Sequence, residues 1–268
     1  MSSSVDRFRK LHEGALPLRL PNAWDAGSAR LFESKGATAI ATTSAGLAWS
    51  LGYQDGRQLP VHRLIAAVAS IMRVLAVPLT VDIENGYSDD PEVVVDYVMQ
   101  LVGLGVAGIN IEDGPDKPEL LASKIEAIRK ALGKSGDDLF INARSDVFLA
   151  SLVDEEHLMA ESIARAKRYA DAGADGLFQP GLWKDQDIKA LADATKLPLN
   201  VMAWPGLGDA RALGRLGVRR LSAGSGIAQV AMATVERLAE NFLQGGSSAP
   251  LFEGTMPYPQ LQSLFVPV

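Results

Sequence analysis

Short apolar runs alternate with longer segments of helical periodicity along most of this chain. Four times a helix-like segment ends in glycine, and a short apolar run and then polar residues follow, as in SKGATAIATTSAG, GLGVAGINIEDG, DAGADGLFQPG and RLGVRRLSAGS. A glycine just past the last turn is a common end of a helix, and an unbroken apolar run is typical of a strand buried on both faces. The repeated pattern therefore predicts alternating helices and parallel strands.

The same pattern predicts eight strands, each followed by a helix. The strands lie near 18–24, 38–43, 78–83, 107–112, 138–143, 175–179, 197–203 and 218–222. The clearest helices, with apolar residues three and four positions apart, are VHRLIAAVASIMRVLA, PEVVVDYVMQLVGLG, ELLASKIEAIRKALGK, EEHLMAESIARAKRYADAG and GIAQVAMATVERLAENFL. Eight such units in 268 residues favour an α/β fold of the (β/α)8 TIM-barrel class. A doubly wound open sheet is the alternative, but no G-x-G-x-x-G follows the first strand.

The C-terminal end of the chain differs in composition from the rest. We expect a (β/α)8 barrel catalytic domain over residues 1–244 and a tail over residues 245–268. The tail begins GGSSAP, which is typical of disorder, and continues with Phe252, Tyr258, Leu261, Leu264 and Phe265, which favour an apolar arm that docks on a neighbouring subunit. We therefore expect a homo-oligomer, either a dimer or a tetramer.

Composition excludes several classes of protein. Hydrophobic residues make up 47% and charged residues 22% of the chain, which is typical of a globular domain. The absence of cysteine excludes thiol nucleophiles and thiolate metal sites. A formal net charge of −6 argues against nucleic-acid binding. The start MSSSVDRFRKLHEGA lacks the apolar region of a signal peptide, and the most apolar stretch is too short to cross a membrane, so we expect a cytoplasmic protein without a membrane partner.

In barrels of this class the active site lies at the carboxyl ends of the strands. Polar residues stand at every predicted strand end, and alternation along the strands selects those that face inward. Asp82 and Glu84 share the inner face in VPLTVDIENGYSDDP, Asn110 and Glu112 do so on the next strand, and Asn142 and Arg144 do so on the one after. Three inward acids and one inward arginine are therefore expected at one mouth of the barrel.

Three carboxylates and one arginine leave an excess of negative charge. Protonation or a bound cation resolves it, and all-oxygen ligands suit Mg²⁺ or Mn²⁺. The alternative is that the acids are satisfied by backbone N–H groups or lysines. The three histidines, His12, His62 and His157, are expected on the surface, which argues against a histidine base. The segment SAGSGI at 222–227 is either a phosphate cradle or a site of close packing.

Three motifs in order resemble the isocitrate lyase / phosphoenolpyruvate mutase superfamily: TTSAGLAWSLGYQDG, VDIENGYSDDPEVVVDYVMQLVGLGVAGINIEDG and NARSDVFL. The resemblance runs from about residue 21 to residue 225. It implies a Mg²⁺-dependent (β/α)8 barrel that acts on 2-oxo and 2-hydroxy acids and makes or breaks C–C or P–C bonds through a metal-bound enolate. The family also implies tetramers with a swapped C-terminal helix.

The resemblance assigns roles to residues of this chain. Asp82 resembles the direct metal ligand, and Glu84, Asp55 and Glu112 would hold metal-bound waters. Ser44 and the backbone N–H groups of Ala45 and Gly46 resemble a cradle for the substrate carboxylate. Arg144 resembles the arginine that grips substrate and offsets enolate charge, and Asn200 lies where some lyases place an asparagine near the substrate. The expected catalytic residues are Arg144, Asp55 and Glu112.

Other positions depart from the family. Isocitrate and methylisocitrate lyases carry a K-K-C-G-H loop after the IED motif, whereas this chain has GPDKPELLASK. The mutase Lys and Asn of that loop lack a clear counterpart, since Lys117 is only loosely placed, and FQPG replaces the mutase histidine. The sequence therefore favours a C–C lyase or decarboxylase that acts on a small oxaloacetate-like acid. The alternatives are a phosphonomutase or phosphonopyruvate hydrolase, a carboxylate-binding protein without turnover, and a metal-free barrel for a phosphorylated substrate.

Overall fold

The computed structural model describes residues 3–265. All strands of the sheet run parallel, in the order β1-β9-β8-β7-β6-β5-β4-β3-β2. Their bounds are β1 Leu18–Leu20, β2 Asn22–Ala23, β3 Ile40–Thr42, β4 Leu79–Asp82, β5 Gly108–Glu112, β6 Phe140–Arg144, β7 Gly176–Phe178, β8 Leu199–Met202 and β9 Val218–Ser222. The predicted α/β barrel is confirmed, and each predicted strand is present with bounds shifted by at most two residues or, for the first, with an interruption.

The first predicted strand is divided at Pro21. Leu18, Arg19 and Leu20 pair with β9, whereas Asn22 and Ala23 pair with β3. Proline has no N–H to donate to a ladder, but its carbonyl still accepts from the Ala41 N–H at 3.1 Å. The chain thus passes from one neighbour to the other at Pro21, and this step joins the two ends of the sheet into a barrel.

Helices surround the strands, except for the first helix, which precedes β1 and lies beneath the barrel. They are α1 Ser4–Lys10, α2 Ala26–Ser34, α3 Ser44–Ser50, α4 Val61–Met72, α5 Pro91–Gly103, α6 Pro118–Ser135, α7 Leu158–Asp171, α8 Asp185–Ala194, α9 Ala210–Arg215, α10 Gly226–Gly245 and α11 Tyr258–Ser263. Two short 3-10 helices cover Glu155–His157 and Ala249–Leu251. The predicted start of α5 is confirmed, because Pro91 occupies the first turn and Asp90 accepts from the Glu92 N–H at 3.0 Å.

The apolar core lies between the strands and the helices, where Val81, Ile109 and Val201 are fully buried. The barrel interior is different, because polar side chains fill its upper part and α1 closes its lower end. Phe8 of α1 packs on Phe140, with 5.3 Å between ring centroids. The lower end of the barrel is therefore a plug and not a channel.

One prediction about the histidines is wrong. His12, expected on the surface, is buried with 4% of its area exposed and stacks on Phe140 with 4.5 Å between ring centroids. Its Nδ1 lies 2.9 Å from the Phe8 carbonyl, so His12 completes the plug formed by α1. His62 and His157 are exposed, as predicted.

The C-terminal helix and the tail contact the barrel little. Only Ala228 of α10 is buried, and Val230, Val235, Phe242 and Leu243 are exposed by 50% or more. The tail contains α11, and the Leu264 carbonyl accepts from Arg30 Nε at 2.7 Å. The predicted domain and tail include residues 1–2 and 266–268, which lie outside the described part of the chain. The docking role of the tail stays a prediction. No helix within residues 3–265 has the length and hydropathy needed to cross a bilayer.

Candidate active site

A cavity of about 160 Å³ opens at the carboxyl ends of the strands. Of the predicted site residues, Ser44, Ala45, Asp55, Asp82 and Arg144 line it. These residues come from separate strand ends and from the loop after α3, so the barrel fold brings them together. The other four predicted residues do not contribute to the lining, and they are Gly46, Glu84, Glu112 and Asn200.

Asp82 is the last residue of β4 and is held by backbone contacts. Its N–H donates to Thr42 Oγ1 at 2.8 Å, and its Oδ1 accepts from the Glu84 N–H at 3.0 Å. The backbone turns sharply after Asp82, and Glu84 adopts a left-handed conformation with φ of +49°. Strand alternation therefore ends at Asp82, and the parity rule that paired the two acids does not extend to Glu84.

The Glu84 carboxylate has its own donors. It accepts from the Tyr87 hydroxyl at 2.9 Å and from the backbone N–H of Arg57. For this acid the structure matches the alternative left open by the sequence, in which a backbone N–H satisfies the carboxylate. With no histidine base expected, the sequence left Tyr87 among the groups available for acid–base chemistry, and the structure places its hydroxyl on Glu84.

Arg144 ends β6 beside the last residue of β5. Glu112 and Arg144 are register partners, and Arg144 Nη1 lies 2.7 Å from Glu112 Oε2. Arg144 Nε and Nη2 donate to the two carboxylate oxygens of Asp146 at 2.7 and 3.0 Å. The guanidinium is therefore fixed between two acids. Asp146 follows the same strand end in NARSD, but the sequence gave no means to assign it as the partner.

A second acid, Asp113, supports this arrangement from behind. It is buried, and its Oδ1 accepts from the Asp146 N–H at 2.9 Å. Its Oδ2 accepts from Arg165 Nη1 at 2.8 Å and from the Tyr169 hydroxyl at 2.5 Å. Asp113 thus anchors the backbone that carries the partner of Arg144. Because both donors come from α7, more than 50 residues later in the chain, no local motif indicates this role.

Burial dominates the electrostatics of the site. It raises the pKa of Asp82 and of Glu84 above the ordinary value, and it raises the pKa of Glu112 to about 8. The charge of Arg144 lowers the pKa of Asp82 and Glu112 but offsets burial only in part. Burial therefore favours the protonated forms of these acids, and a bound cation would compete with those protons.

These acids do not form a compact cage. Within the part of the chain that the structure describes, no three His, Asp or Glu side chains lie close enough together to bind one metal ion. Any cation at Asp82 would therefore take most of its ligands from water or substrate. Mg²⁺ commonly binds in this way, through one or two carboxylates.

The predicted carboxylate cradle is only partly open. Ser44 and Ala45 line the cavity at the start of α3, but the Gly46 N–H donates to Thr43 Oγ1 at 3.4 Å. A Cβ at Gly46 would lie 2.7 Å from Thr43 Cγ2 and 3.0 Å from Trp24 Cβ. Gly46 therefore permits close packing.

Asn200 lies beneath the cavity in a network of amides. Its Oδ1 accepts from Asn142 Nδ2 at 3.1 Å, and its Nδ2 donates to the Val201 carbonyl at 2.7 Å. Asn142 Nδ2 also donates to Asn110 Oδ1 at 2.8 Å. Asn200 does not reach the cavity lining, and the asparagines that do are Asn110 of β5 and Asn22 of β2.

The SAGSGI segment lies at the wall of the cavity, and its role as a phosphate cradle stays a prediction. Ser222, Gly224 and Ser225 line the cavity. Gly224 has φ of +61°, and a Cβ there would lie 2.7 Å from Met202 Sδ. Its N–H donates to Asn22 Oδ1 at 3.0 Å. At Gly224 close packing is therefore the structural reason for the glycine.

Comparison with known proteins places the chain in a family. A profile of phosphoenolpyruvate phosphomutase matches residues 8–243. An uncharacterised protein of Mycobacterium tuberculosis (strain ATCC 25618 / H37Rv) is 38% identical over 97% of this chain and 96% of its own length. An oxaloacetate decarboxylase of Bradyrhizobium sp. (strain BTAi1 / ATCC BAA-1182) is 31% identical over 76% of this chain and 72% of its own.

A solved structure agrees with this placement. The crystal structure of a protein from Burkholderia cenocepacia J2315, provisionally named a phosphonomutase, superposes with a TM-score of 0.84. It is 39% identical and covers 89% of this chain and all of the other. The resemblance seen in the three sequence motifs is confirmed. The chain is an enzyme of the phosphoenolpyruvate phosphomutase family, within the phosphoenolpyruvate mutase/isocitrate lyase superfamily of lyases and mutases.

Proposed function

We propose that the protein is a Mg²⁺-dependent C–C lyase or decarboxylase that acts on a small 2-oxo or 2-hydroxy acid, such as oxaloacetate, through an enolate. The observation that carries the proposal is the joint presence of Asp82 and Arg144 in one small cavity at the carboxyl ends of the strands. A buried acid and a buried arginine in one cavity suit a substrate that has a polarised carbonyl and a carboxylate.

The donor set at this cavity fits a hard divalent cation. Asp82 is buried at the cavity wall, and of its two oxygens Oδ1 accepts the Glu84 N–H. Asp55 lines the same cavity, and Glu84 and Glu112 lie near enough for the charge of Asp82 to raise the pKa of each. All of these donors are oxygens, which Mg²⁺ prefers, with Mn²⁺ as the alternative.

We assign Asp82 as the direct ligand and Glu84, Glu112 and Asp55 as holders of metal-bound water. When bound, the cation supplies positive charge to a carbonyl oxygen where negative charge develops. A proton competes with the cation for the Asp82 carboxylate, because burial raises the pKa of this acid. Metal affinity should therefore increase with pH.

Arg144 offers substrate a fixed positive charge. Glu112 and Asp146 hold the guanidinium on two sides, and the Phe178 ring lies 5.8 Å from its central carbon. Five N–H bonds radiate from a guanidinium, and three nitrogens here use only one each for these acids, so donors remain for a substrate carboxylate. Preorganised charge of this kind stabilises an enolate without reorganisation during the reaction.

Glu112 and Asp55 are the proposed proton carriers. The pKa of Glu112 is raised to about 8, so near neutral pH it is populated in both protonation states, as a general acid or base requires. Asp55 lines the cavity from an exposed loop, and it connects the site to solvent. Decarboxylation needs no dedicated loop acid, because solvent protonates the product enolate. This agrees with a chain that lacks the lyase cysteine loop.

P–C chemistry is the second candidate, since the family profile is that of phosphoenolpyruvate phosphomutase and a 39% identical structure carries a provisional phosphonomutase name. The chain lacks clear counterparts of the mutase Lys, Asn and His, which disfavours this candidate. The oxaloacetate decarboxylase of Bradyrhizobium favours the first candidate.

Assembly into dimers or tetramers is also proposed. The apolar side chains exposed on α10, such as Val230 and Val235, form a surface that a second subunit would cover. The double substitution Val230→Glu and Val235→Glu is expected to reduce the mass measured by light scattering to that of the 28.5 kDa chain. If the double variant kept the mass of the unaltered oligomer, this role of α10 would be contradicted. If the unaltered protein itself were a monomer, the proposed assembly would be contradicted.

The function is tested with purified protein and Mg²⁺ on oxaloacetate, methylisocitrate, phosphonopyruvate and phosphoenolpyruvate, following pyruvate, succinate and phosphate. We expect the protein to form pyruvate from oxaloacetate, and we expect this activity to be lost in EDTA and in the Asp82→Ala variant. The exposed Asp193→Ala, which removes the same charge from α8, is the matched control. Phosphate released from phosphonopyruvate would instead establish P–C chemistry. Full activity in EDTA would exclude the metal, and binding without turnover would indicate a non-catalytic protein.

A further inference from the structure

A positive charge lies inside the barrel, below the cavity. Arg220 of β9 is fully buried and projects into the interior, whereas its neighbour Arg219 is partly exposed on the outer side. The Arg220 guanidinium lies 5.9 Å from the Phe8 ring of the plug. Arg220 therefore occupies the space between the plug and the floor of the proposed site.

Arg220 has no carboxylate partner. Among the described residues, no Asp or Glu oxygen lies within 4.0 Å of its nitrogens, whereas the half-buried Arg144 and the buried Arg165 each have such a partner. Its one side-chain hydrogen bond is from Nη2 to Asn110 Oδ1, at 3.2 Å, and Nε and Nη1 have no partner in the described residues. A buried cation without an ion pair is costly, so a methionine or leucine at this position would be easier to accommodate.

The charge of Arg220 persists at neutral pH. Burial lowers the pKa of its guanidinium to about 9, and Asp82 is the acid whose charge opposes that decrease. The nearby His12 does not share the charge, because burial lowers the pKa of its imidazole to about 3. One full positive charge thus lies inside the barrel at pH 7.

The amide network links this charge to the cavity floor. Asn110 Oδ1 accepts from both Arg220 Nη2 and Asn142 Nδ2, at 3.2 and 2.8 Å. The network continues through Asn200, which donates to Ser222 Oγ at 3.2 Å. Asn110 and Ser222 are part of the cavity lining, so the residues oriented by Arg220 are those that face a ligand. With little solvent between them, a charge beneath the floor acts on the ligand with weak screening.

We infer that Arg220 is a positioning residue that orients the floor amides and adds positive potential to the pocket, which strengthens binding of the substrate carboxylate. This inference rests on the proposed function, in which the cavity binds a carboxylate and a divalent cation. It makes a prediction that a purely structural role does not make. A positive charge beneath the floor strengthens binding of an anion and weakens binding of a cation, so its removal should change the two affinities in opposite directions.

The test uses the full chain and two probes, Mn²⁺ alone and oxalate at saturating Mg²⁺, each titrated by calorimetry. In Arg220→Met we expect the oxalate Kd to increase about tenfold and the Mn²⁺ Kd to decrease several-fold, the effect of one charge in a partly screened interior. Arg220→Lys, which keeps the charge, should return both constants most of the way to those of the unaltered protein. Arg219→Met removes the same charge from the outer side of β9 and should change neither constant more than twofold.

Circular dichroism and thermal unfolding check that each variant is folded. If Arg220→Met does not fold, Arg220→Gln replaces it, since it removes the charge but keeps an N–H donor for Asn110. Weaker binding of both oxalate and Mn²⁺ would show a structural role and overturn the inference. Unchanged dissociation constants for both probes would also overturn it. Failure of the unaltered protein to bind either probe would instead overturn the proposed function, and the inference with it.

Discussion

The buried histidine of the plug predicts how stability depends on pH. Burial is the largest cause that lowers the pKa of His12, from 6.5 to about 3, and the charge of Arg220 is the next. The unfolded chain therefore binds a proton below pH 6.5 that the folded chain excludes. The contribution is fully present above pH 6.5 and is lost progressively as the pH falls from 6.5 toward 3.

The size of this effect at pH 5 depends little on the exact folded value. For a group that titrates at 6.5 when unfolded and near 3 when folded, protonation of the unfolded state at pH 5 is worth about 2 kcal/mol relative to pH 8. A folded pKa of about 4 gives nearly the same figure, because at pH 5 the folded group is neutral in either case. One histidine thus removes a noticeable share of a typical domain's stability between these two pH values.

The assay is urea unfolding at pH 8 and pH 5 of the unaltered protein, His12→Phe and the control His157→Gln. Phenylalanine keeps the ring against Phe140 but does not titrate, so the decrease from pH 8 to pH 5 should be about 2 kcal/mol smaller in His12→Phe. His157→Gln removes an exposed imidazole and controls for the loss of a histidine as such. Glu112, whose pKa is raised, stabilises the folded protein as the pH falls and so opposes the effect of His12. The two proteins are therefore compared by the difference between their decreases in unfolding free energy, from which the contribution of Glu112 cancels. An equal decrease in His12→Phe would refute the reasoning.

Three further substitutions test the site. Arg144→Lys keeps the charge but loses the paired bonds to Asp146, so kcat/KM for oxaloacetate should fall about 100-fold or more, and a loss below threefold would contradict the role. Asp113→Asn removes one of the two acids paired with buried Arg165, leaving Glu161, and should cost about 1.5–3 kcal/mol in urea unfolding, whereas an unchanged midpoint would show that Asp113 anchors nothing. Gly46→Ala places a Cβ against Thr43 and should cost about 1–3 kcal/mol, and full stability in thermal unfolding would show that the contact relaxes.

The periodicity of apolar residues was sufficient to predict the parts of the fold that depend on residues close together in the sequence. The apolar runs located the strands, and alternation placed Asn110 with Glu112 and Asn142 with Arg144 on the inner face. The structure confirms these two pairs, and because Glu112 and Arg144 are register partners, their ion pair follows from the same alternation. Where a strand is regular, the sequence therefore predicts both the element and the direction of its side chains.

The errors arise where the chain leaves regular geometry. Glu84 follows the last strand residue and has a left-handed backbone, so its side chain does not obey alternation. Pro21 divides the first strand because it has no N–H to pair, a signal that was present in the sequence but not used. In both cases a single residue changes the local conformation while the apolar pattern continues unaltered.

Long-range contacts account for the rest. His12 is buried because α1 folds beneath the barrel, and the contact joins residues more than 100 positions apart. Asp113 finds its partners on α7, and Arg220 reaches from β9 across the interior to Asn110 on β5. No local pattern marks such residues, since each reads as an ordinary charged or polar position. Only the closed barrel shows which of them lie beneath the site.

The central claim is that a divalent cation at Asp82 and the charge of Arg144 together turn over a small 2-oxo acid. The most direct measurement is pyruvate formation from oxaloacetate above the uncatalysed background, with Mg²⁺ added back after chelation, for the unaltered protein, Asp82→Ala and the control Asp193→Ala. The account predicts activity that returns with Mg²⁺ in the unaltered protein and in Asp193→Ala but not in Asp82→Ala. Equal activity in all three proteins, or activity that persists in EDTA, would contradict it.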